Sequence, residues 1–268
     1  MAAGADLDVL MAVAEACADA ARAPVLHFFR RAGLEADSKS ATAFDPVTAA
    51  DRAAEAAIRA VLADRRPDDG ILGEEDAPVA GRSGLTWVLD PIDGTRAYLC
   101  GAPTWGVLIA VNAGGAPLLG LIDQPFTGER FSGVPARRAA RWARDGERRA
   151  LAVRRCASLA EATVMTTFPE LGSPAEGAAF ATVARQARLV RYGLDCYAYA
   201  LLAMGCIDLV IEAGLQPYDI QAPMAVIEAA GGIVTDWRGG PAEQGGRVLA
   251  AGDARVHAAA LAVLAQAG

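Results

Sequence analysis

The chain opens with an apolar repeat of helical period. Leu7, Leu10, Val13, Cys17 and Ala21 recur at three- and four-residue steps and predict a helix over 5–32. Pro24 is expected to kink or interrupt it, because proline lacks an amide donor and crowds the preceding turn. Asp45 and Pro46 suit the cap and first position of a second helix, running to Asp64 ahead of Pro67. The pattern then shifts to short apolar runs separated by turn residues. "GILGEED" (70–76), "LTWVLD" (85–90), "WGVLIAV" (105–111) and "LLGLID" (118–123) predict buried strands. "ERFSGV" and "AARWARDGERRALAVR" predict hairpins, the latter turning at Asp145-Gly146. The first half thus reads as mostly antiparallel sheet with helices on one side.

From about residue 156 strands and helices alternate. "ATVMTT", "ARLVRYG", "CIDLVIEAG", "GGIVTDW" and "RVLAAG" predict strands; 175–188, "DCYAYALLAM", 219–230 and 252–267 predict helices. Such alternation defines an α/β lobe. No long linker intervenes. The expected division is therefore a lobe of residues 1–145 and a second of 146–268, sharing an interface.

Composition narrows the class. The chain has 268 residues, enough for a substantial core, and a net charge of −7. That acidity disfavours nucleic acid as a partner. Phosphate monoesters stay open, because a bound cation inverts the local charge. No run of about 18 uncharged apolar residues suggests a membrane span. "MAAGADLDVL" has no basic leader region, so a cytoplasmic location is expected. The five cysteines are odd in number and scattered, fitting reduced, mostly buried thiols. His27 and His257 are the only histidines, and both sit in stretches that suit a packed side chain. Hydrolytic chemistry here must use carboxylates, hydroxyls and metals.

Four acidic clusters fall at element ends: Asp51 early in a helix, Glu74-Glu75 and Asp90/Asp93 after strands, and Asp219 before a helix. Converging carboxylates repel and raise each other's pKa values, and a divalent cation relieves this. Oxygen-only ligation points to a hard ion, Mg²⁺ first, then Mn²⁺ or Ca²⁺. In "DPIDGT", Asp90 can bridge two ions, Asp93 turns back on the second, and the Ile92 carbonyl can complete a shell. Gly94 admits a phosphate close to the backbone, and the Gly94 and Thr95 amides open a short helix that suits an anion. Taken alone, Asp-x-x-Asp is better explained as a cap or turn; the further clusters favour a site.

"GEE" (73–75), "DPIDGT" (90–95) and "YDIQAPMAVIEAAGG" (218–232) resemble the three signatures of the inositol monophosphatase family, and the likeness runs from "DPVTAAD" (45–51) to the last helix. The resemblance implies an αβαβα sandwich and an Mg²⁺-dependent sugar phosphatase, often a homodimer. Carried onto this chain, it places one ion on Glu74, Asp90 and the Ile92 carbonyl, and a second on Asp90, Asp93 and Asp219. A third, weaker ion would touch Glu74. Asp51, Glu74 and Thr95 would serve catalysis, with Asp93, Gly94 and Thr95 at the phosphate. Tyr218 stands where many members have Trp, and Pro223 follows Asp219 within a turn; neither touches the ligand set.

The chain resembles the histidinol-phosphate phosphatase branch, on "LVRYGLDCYAYALLAMGCIDLVIEAGLQPYD" (189–219), "GTRAYLCGAPTWGVLIAV" (94–111), "LIDQPFTGER" (121–130) and "TTFPELG" (166–172). Histidinol phosphate carries an ammonium and an imidazole. Asp195 or Glu212 would pair with the ammonium, Tyr197 would pack the ring, and Arg191 would contact the phosphate or organise the acids. Asp195 equally suits a helix cap, and Tyr197 a core position. The alternatives are another small sugar-phosphate phosphatase of the family, such as one for inositol 1-phosphate, and a non-catalytic metal-binding member.

Overall fold

The computed structural model describes residues 6–31, 36–38 and 46–267. In chain order the elements are α1 (Leu7–Phe28), β1 (Ala36–Ser38), β2 (Pro46–Thr48), α2 (Ala49–Arg65), β3 (Gly70–Gly73), β4 (Thr86–Asp93), α3 (Thr95–Leu99), β5 (Gly106–Asn112), β6 (Pro117–Gln124), β7 (Glu129–Val134), β8 (Ala139–Arg144) and β9 (Glu147–Ala150). Then come β10 (Thr163–Thr166), α4 (Pro174–Ala184), β11 (Leu189–Tyr192), α5 (Asp195–Ala203), β12 (Leu209–Leu215), α6 (Pro217–Ala229), β13 (Ile233–Thr235), β14 (Gly246–Ala251) and α7 (Ala254–Leu264).

Strands β3 to β9 form one seven-stranded sheet in sequence order. The β3–β4 pair is parallel and the rest antiparallel. A second, five-stranded mixed sheet has the order β11-β10-β12-β14-β13. The continuous apolar runs follow from burial on both faces. Every residue of β5 is buried, with Val107, Ile109 and Val111 against α1 and α2 and Leu108 and Ala110 on the opposite face. Helices α5 and α6 fill the layer between the two sheets, and α4 and α7 cover the far face of the second. The architecture is the expected αβαβα sandwich.

Helix α6 is apolar nearly all round, as befits a helix enclosed by sheets. It lies against the first sheet because Gly120 has no side chain there. A Cβ at Gly120 would sit 2.4 Å from the Ala222 carbonyl oxygen. This close approach brings Asp219, in the first turn of α6, toward the end of β4.

Three local expectations change. Pro24 does not interrupt α1; it sits near the C-terminal end, where the last turn is held by the Phe29 amide and the Tyr98 hydroxyl, both donating to the Val25 carbonyl at 3.2 and 2.6 Å. Helix α2 starts at Ala49, not Pro46, because Thr48 and Asp51 form a capping box and Pro46 lies in a strand. The expected cap at Asp45 lies outside the described residues. Helices also flank the first sheet on both faces, since α6 returns from the second half. The 145/146 division falls in the β8–β9 turn, and β9 pairs with the first sheet.

Candidate active site

Strand β4 does not stop at Asp90. It continues to Asp93 through a bulge, with Asp90 opposite Leu108 and Asp93 opposite Gly106. A bulge re-aims successive side chains. Here it lets two acids three residues apart face one region. The Asp90 carboxylate accepts the Ile92 amide at 3.0 Å, and Thr95 Oγ1 donates to the Ile92 carbonyl at 3.1 Å. Gly94 then turns the chain with φ +85°, and a Cβ there would stand 2.8 Å from Asp195 Cγ. Both reasons require glycine.

Among the described residues, one oxygen each of Asp90, Asp93 and Asp219 lie within 4.8 Å of one another. Glu74 joins them through a side-chain hydrogen bond with Asp90. Burial, and then the charges of Glu74, Asp93 and Asp219, push the Asp90 carboxyl well above its usual range. Burial and the charges of Asp195 and Asp219 push Asp93 the same way, although the Cys196 amide, 2.6 Å away, opposes this. Asp219 is fixed at the start of α6, where it accepts the Gln216 amide at 2.7 Å.

Asp51 stands at the edge of this cluster. One oxygen accepts the Thr48 amide and hydroxyl at 2.8 and 2.6 Å; Oδ1 is buried and has no hydrogen-bond partner. Burial raises its carboxyl, and the charge of Glu74 adds to this against the Thr48 bonds. Asp51 is thus both a helix-start acid and a member of the acidic site. Buried and half-buried carboxylates that raise one another's pKa, beside an orphaned carboxylate oxygen, are a donor set that fits a hard cation.

A cavity of about 240 Å³ opens from Asp93 and Asp219 toward the second sheet. Asp195 and Glu212 line it. Asp195, the first residue of α5, holds a left-handed backbone with φ 46°; Leu194 is the cap residue, so Asp195 does not cap the helix. Burial lifts the Asp195 carboxyl to about 6, against a bond from Thr104 and the charge of Arg96. Glu212 accepts the Thr167 amide at 2.6 Å, the Thr167 hydroxyl at 3.0 Å and the Thr166 hydroxyl at 3.2 Å; burial nevertheless lifts it to about 7.

Two expected residues stand elsewhere. The Tyr197 hydroxyl donates to Glu129 at 2.6 Å, and its ring meets Phe131, so the side chain packs into the core away from the cavity. Arg191 is exposed on β11 and does not line the cavity. The cavity's tyrosine is Tyr199. Glu55 was also not anticipated. It is fully buried, accepts the Glu75 and Asp76 amides at 2.8 and 3.1 Å and pairs with Arg59, so it pins the loop that carries Glu74. Its signal was legible: Glu55 lies four residues after Asp51, on the same buried face of α2. His257, as expected, is packed, with Nε2 2.9 Å from Thr235 Oγ1, whereas His27 is exposed. All five cysteines are free, and three are buried. No helix among the described residues is long and apolar enough to cross a membrane.

A layered αβαβα fold with buried and half-buried carboxylates converging from β4 and α6 beside a polar cavity defines a metal-dependent phosphatase of small phosphorylated substrates. The family model described as "Inositol monophosphatase family" matches residues 6–267, and the chain belongs to that family. It is 40% identical over 267 residues to the bifunctional phosphatase IMPL2, chloroplastic, of Arabidopsis thaliana, covering 96% of this chain and 75% of that protein. It is 36% identical to a histidinol-phosphatase of Chlorobaculum parvum, covering 80% of each. A solved inositol monophosphatase from Zymomonas mobilis superposes with a TM-score of 0.84 at 38% identity, covering 98% of this chain and 100% of that one.

Proposed function

We propose that the protein is an Mg²⁺-dependent histidinol-phosphate phosphatase, acting on a small phosphorylated metabolite in histidine biosynthesis. The observation that carries the substrate is the pair Asp195 and Glu212 in the cavity beside the acidic cluster. Two carboxylates beyond those of the cluster suit a substrate whose far end is cationic. The same pair gives a neutral polyol no charge to answer.

In this reading Glu74, Asp90, Asp93, Asp219 and the Ile92 carbonyl would hold two Mg²⁺ ions, a third, weaker ion would touch Glu74, and Mn²⁺ would serve as a substitute. The bound ions would lower the pKa of water and neutralise charge on the phosphoryl and leaving oxygens. The chain supplies position and proton transfer. Thr95 donates to the Ile92 carbonyl, which leaves its oxygen lone pairs to accept a hydrogen bond from the attacking water. Asp51 Oδ1, unpartnered and buried, takes the second contact and receives the proton. The Gly94 and Thr95 amides and the turn at Asp93 seat the phosphate. Water oxygen forms the new P–O bond and the ester P–O bond breaks; the leaving oxygen takes up a proton from solvent, Asp51 returns its own to solvent, and the products are histidinol and inorganic phosphate. Glu212, held by three donors from Thr166 and Thr167, fixes the ammonium, with Asp195 beside it.

The five free thiols support a reducing, cytoplasmic location. The homodimer, and the absence of a nucleic-acid partner, rest on the family resemblance and the net charge of −7. Phosphate release from histidinol phosphate and inositol 1-phosphate, side by side in Mg²⁺, tests the reading. A strong preference for the first is expected. A strong preference for the second would overturn the substrate and leave the phosphatase standing.

A further inference from the structure

Two cavity residues have no part in the chemistry above. Tyr199 is 4% exposed and lines the cavity, and its hydroxyl has no hydrogen-bond partner. A buried hydroxyl left unpaired is costly, so such a group commonly awaits a ligand or water. Glu212, Asp93 and Asp219, which line the same cavity, are near enough for their charges to act on it. Phe168 lines the same cavity and is far more open to solvent, at 42% exposed. The Arg96 guanidinium covers it, 5.1 Å from the ring centroid. That contact steadies the ring.

We propose that Phe168 and Tyr199 select the substrate's flat, nitrogen-bearing ring: Phe168 is the stacking platform and the Tyr199 hydroxyl bonds a ring nitrogen. This rests on the substrate reading above and extends it to the end of the molecule that Asp195 and Glu212 do not address. A tyrosine hydroxyl can donate or accept, so it matches either nitrogen of an imidazole. A phenyl face suits a planar ring and offers little to a puckered polyol.

The test is a ratio of kcat/KM values on the full chain in Mg²⁺. In Phe168→Ala the ratio of histidinol phosphate to glycerol 2-phosphate should fall about tenfold, and Phe168→Tyr should hold it near wild type. In Tyr199→Phe the same ratio should fall about tenfold, while the melting temperature stays level or rises, because the lost hydroxyl had no partner. Phenyl phosphate separates the two roles. Its ratio to glycerol 2-phosphate should fall in Phe168→Ala and hold in Tyr199→Phe. Unmoved ratios in both variants would overturn the proposal, as would a large drop in melting temperature for Tyr199→Phe. A wild type that prefers inositol 1-phosphate to histidinol phosphate would instead defeat the substrate reading and take the Tyr199 bond with it. The phenyl phosphate ratio in Phe168→Ala would still decide the platform.

Discussion

Asp123 and Asp90 lie on neighbouring regions of one sheet and are equally hidden from solvent, 0% and 2% exposed. Their surroundings are opposite. Asp123 on β6 is gripped by Arg22 at 2.8 and 2.7 Å and by Arg130 at 2.7 Å, and Arg130 reaches on to Asp19. Asp90 on β4 faces Glu74, Asp93 and Asp219. A buried charge needs compensation. At Asp123 the fold carries that compensation in its own side chains. At Asp90 it gathers like charges and leaves compensation to a cation. One arrangement ties α1 to the sheet; the other stores repulsion that ligand binding relieves.

The sharpest break of this contrast is Asp90→Asn. It should fold, melt no lower than wild type in chelator, and lose phosphate release by about a thousandfold or more in Mg²⁺. Wild-type turnover would refute the metal assignment. Asp123→Ala should do the reverse. It strands two arginines, so denaturant unfolding should show a loss of about 4 kcal/mol, with activity largely kept at low temperature.

Glu212 is an intermediate case, buried with only neutral donors from Thr166 and Thr167. Its carboxyl is raised from 4.5 to about 7. A raised acid stabilises the fold while protonated, fully below pH 4.5, and that contribution is lost as pH rises through about 7. In chelator, wild type should match Glu212→Gln near pH 4 and fall on the order of 3 kcal/mol below it by pH 8. Parallel stability curves would mean that Glu212 is not held protonated. The smallest effect is thermodynamic linkage. Mg²⁺ at about ten times its Kd should stabilise wild type by about 1.4 kcal/mol and Asp90→Asn by much less. Equal shifts in the two proteins would erase the distinction between the regions.

Much of this was legible along the chain. The strand runs and the α/β alternation predicted the elements within a few residues, because burial on both faces leaves unbroken apolar stretches. The acids that converge were also visible at element ends. The bulge was less so: Asp90 and Asp93 read as a strand end and a turn, whereas the ladder resumes beyond them. Pro24 misled because proline's effect depends on where in the helix its missing donor falls.

The sequence by itself determined the element order, the layered class and the set of carboxylates able to meet a hard cation, since these depend on local period and residue chemistry. Only the tertiary structure decided which tyrosine faces the cavity. Tyr197 and Tyr199 are two residues apart on α5, a rotation of about 200°, so they point to nearly opposite sides. Helix α5 packs against neighbours on most sides, and its apolar pattern therefore marks no single inward face. Docking between the sheets turned Tyr197 to Glu129 and Tyr199 to the site.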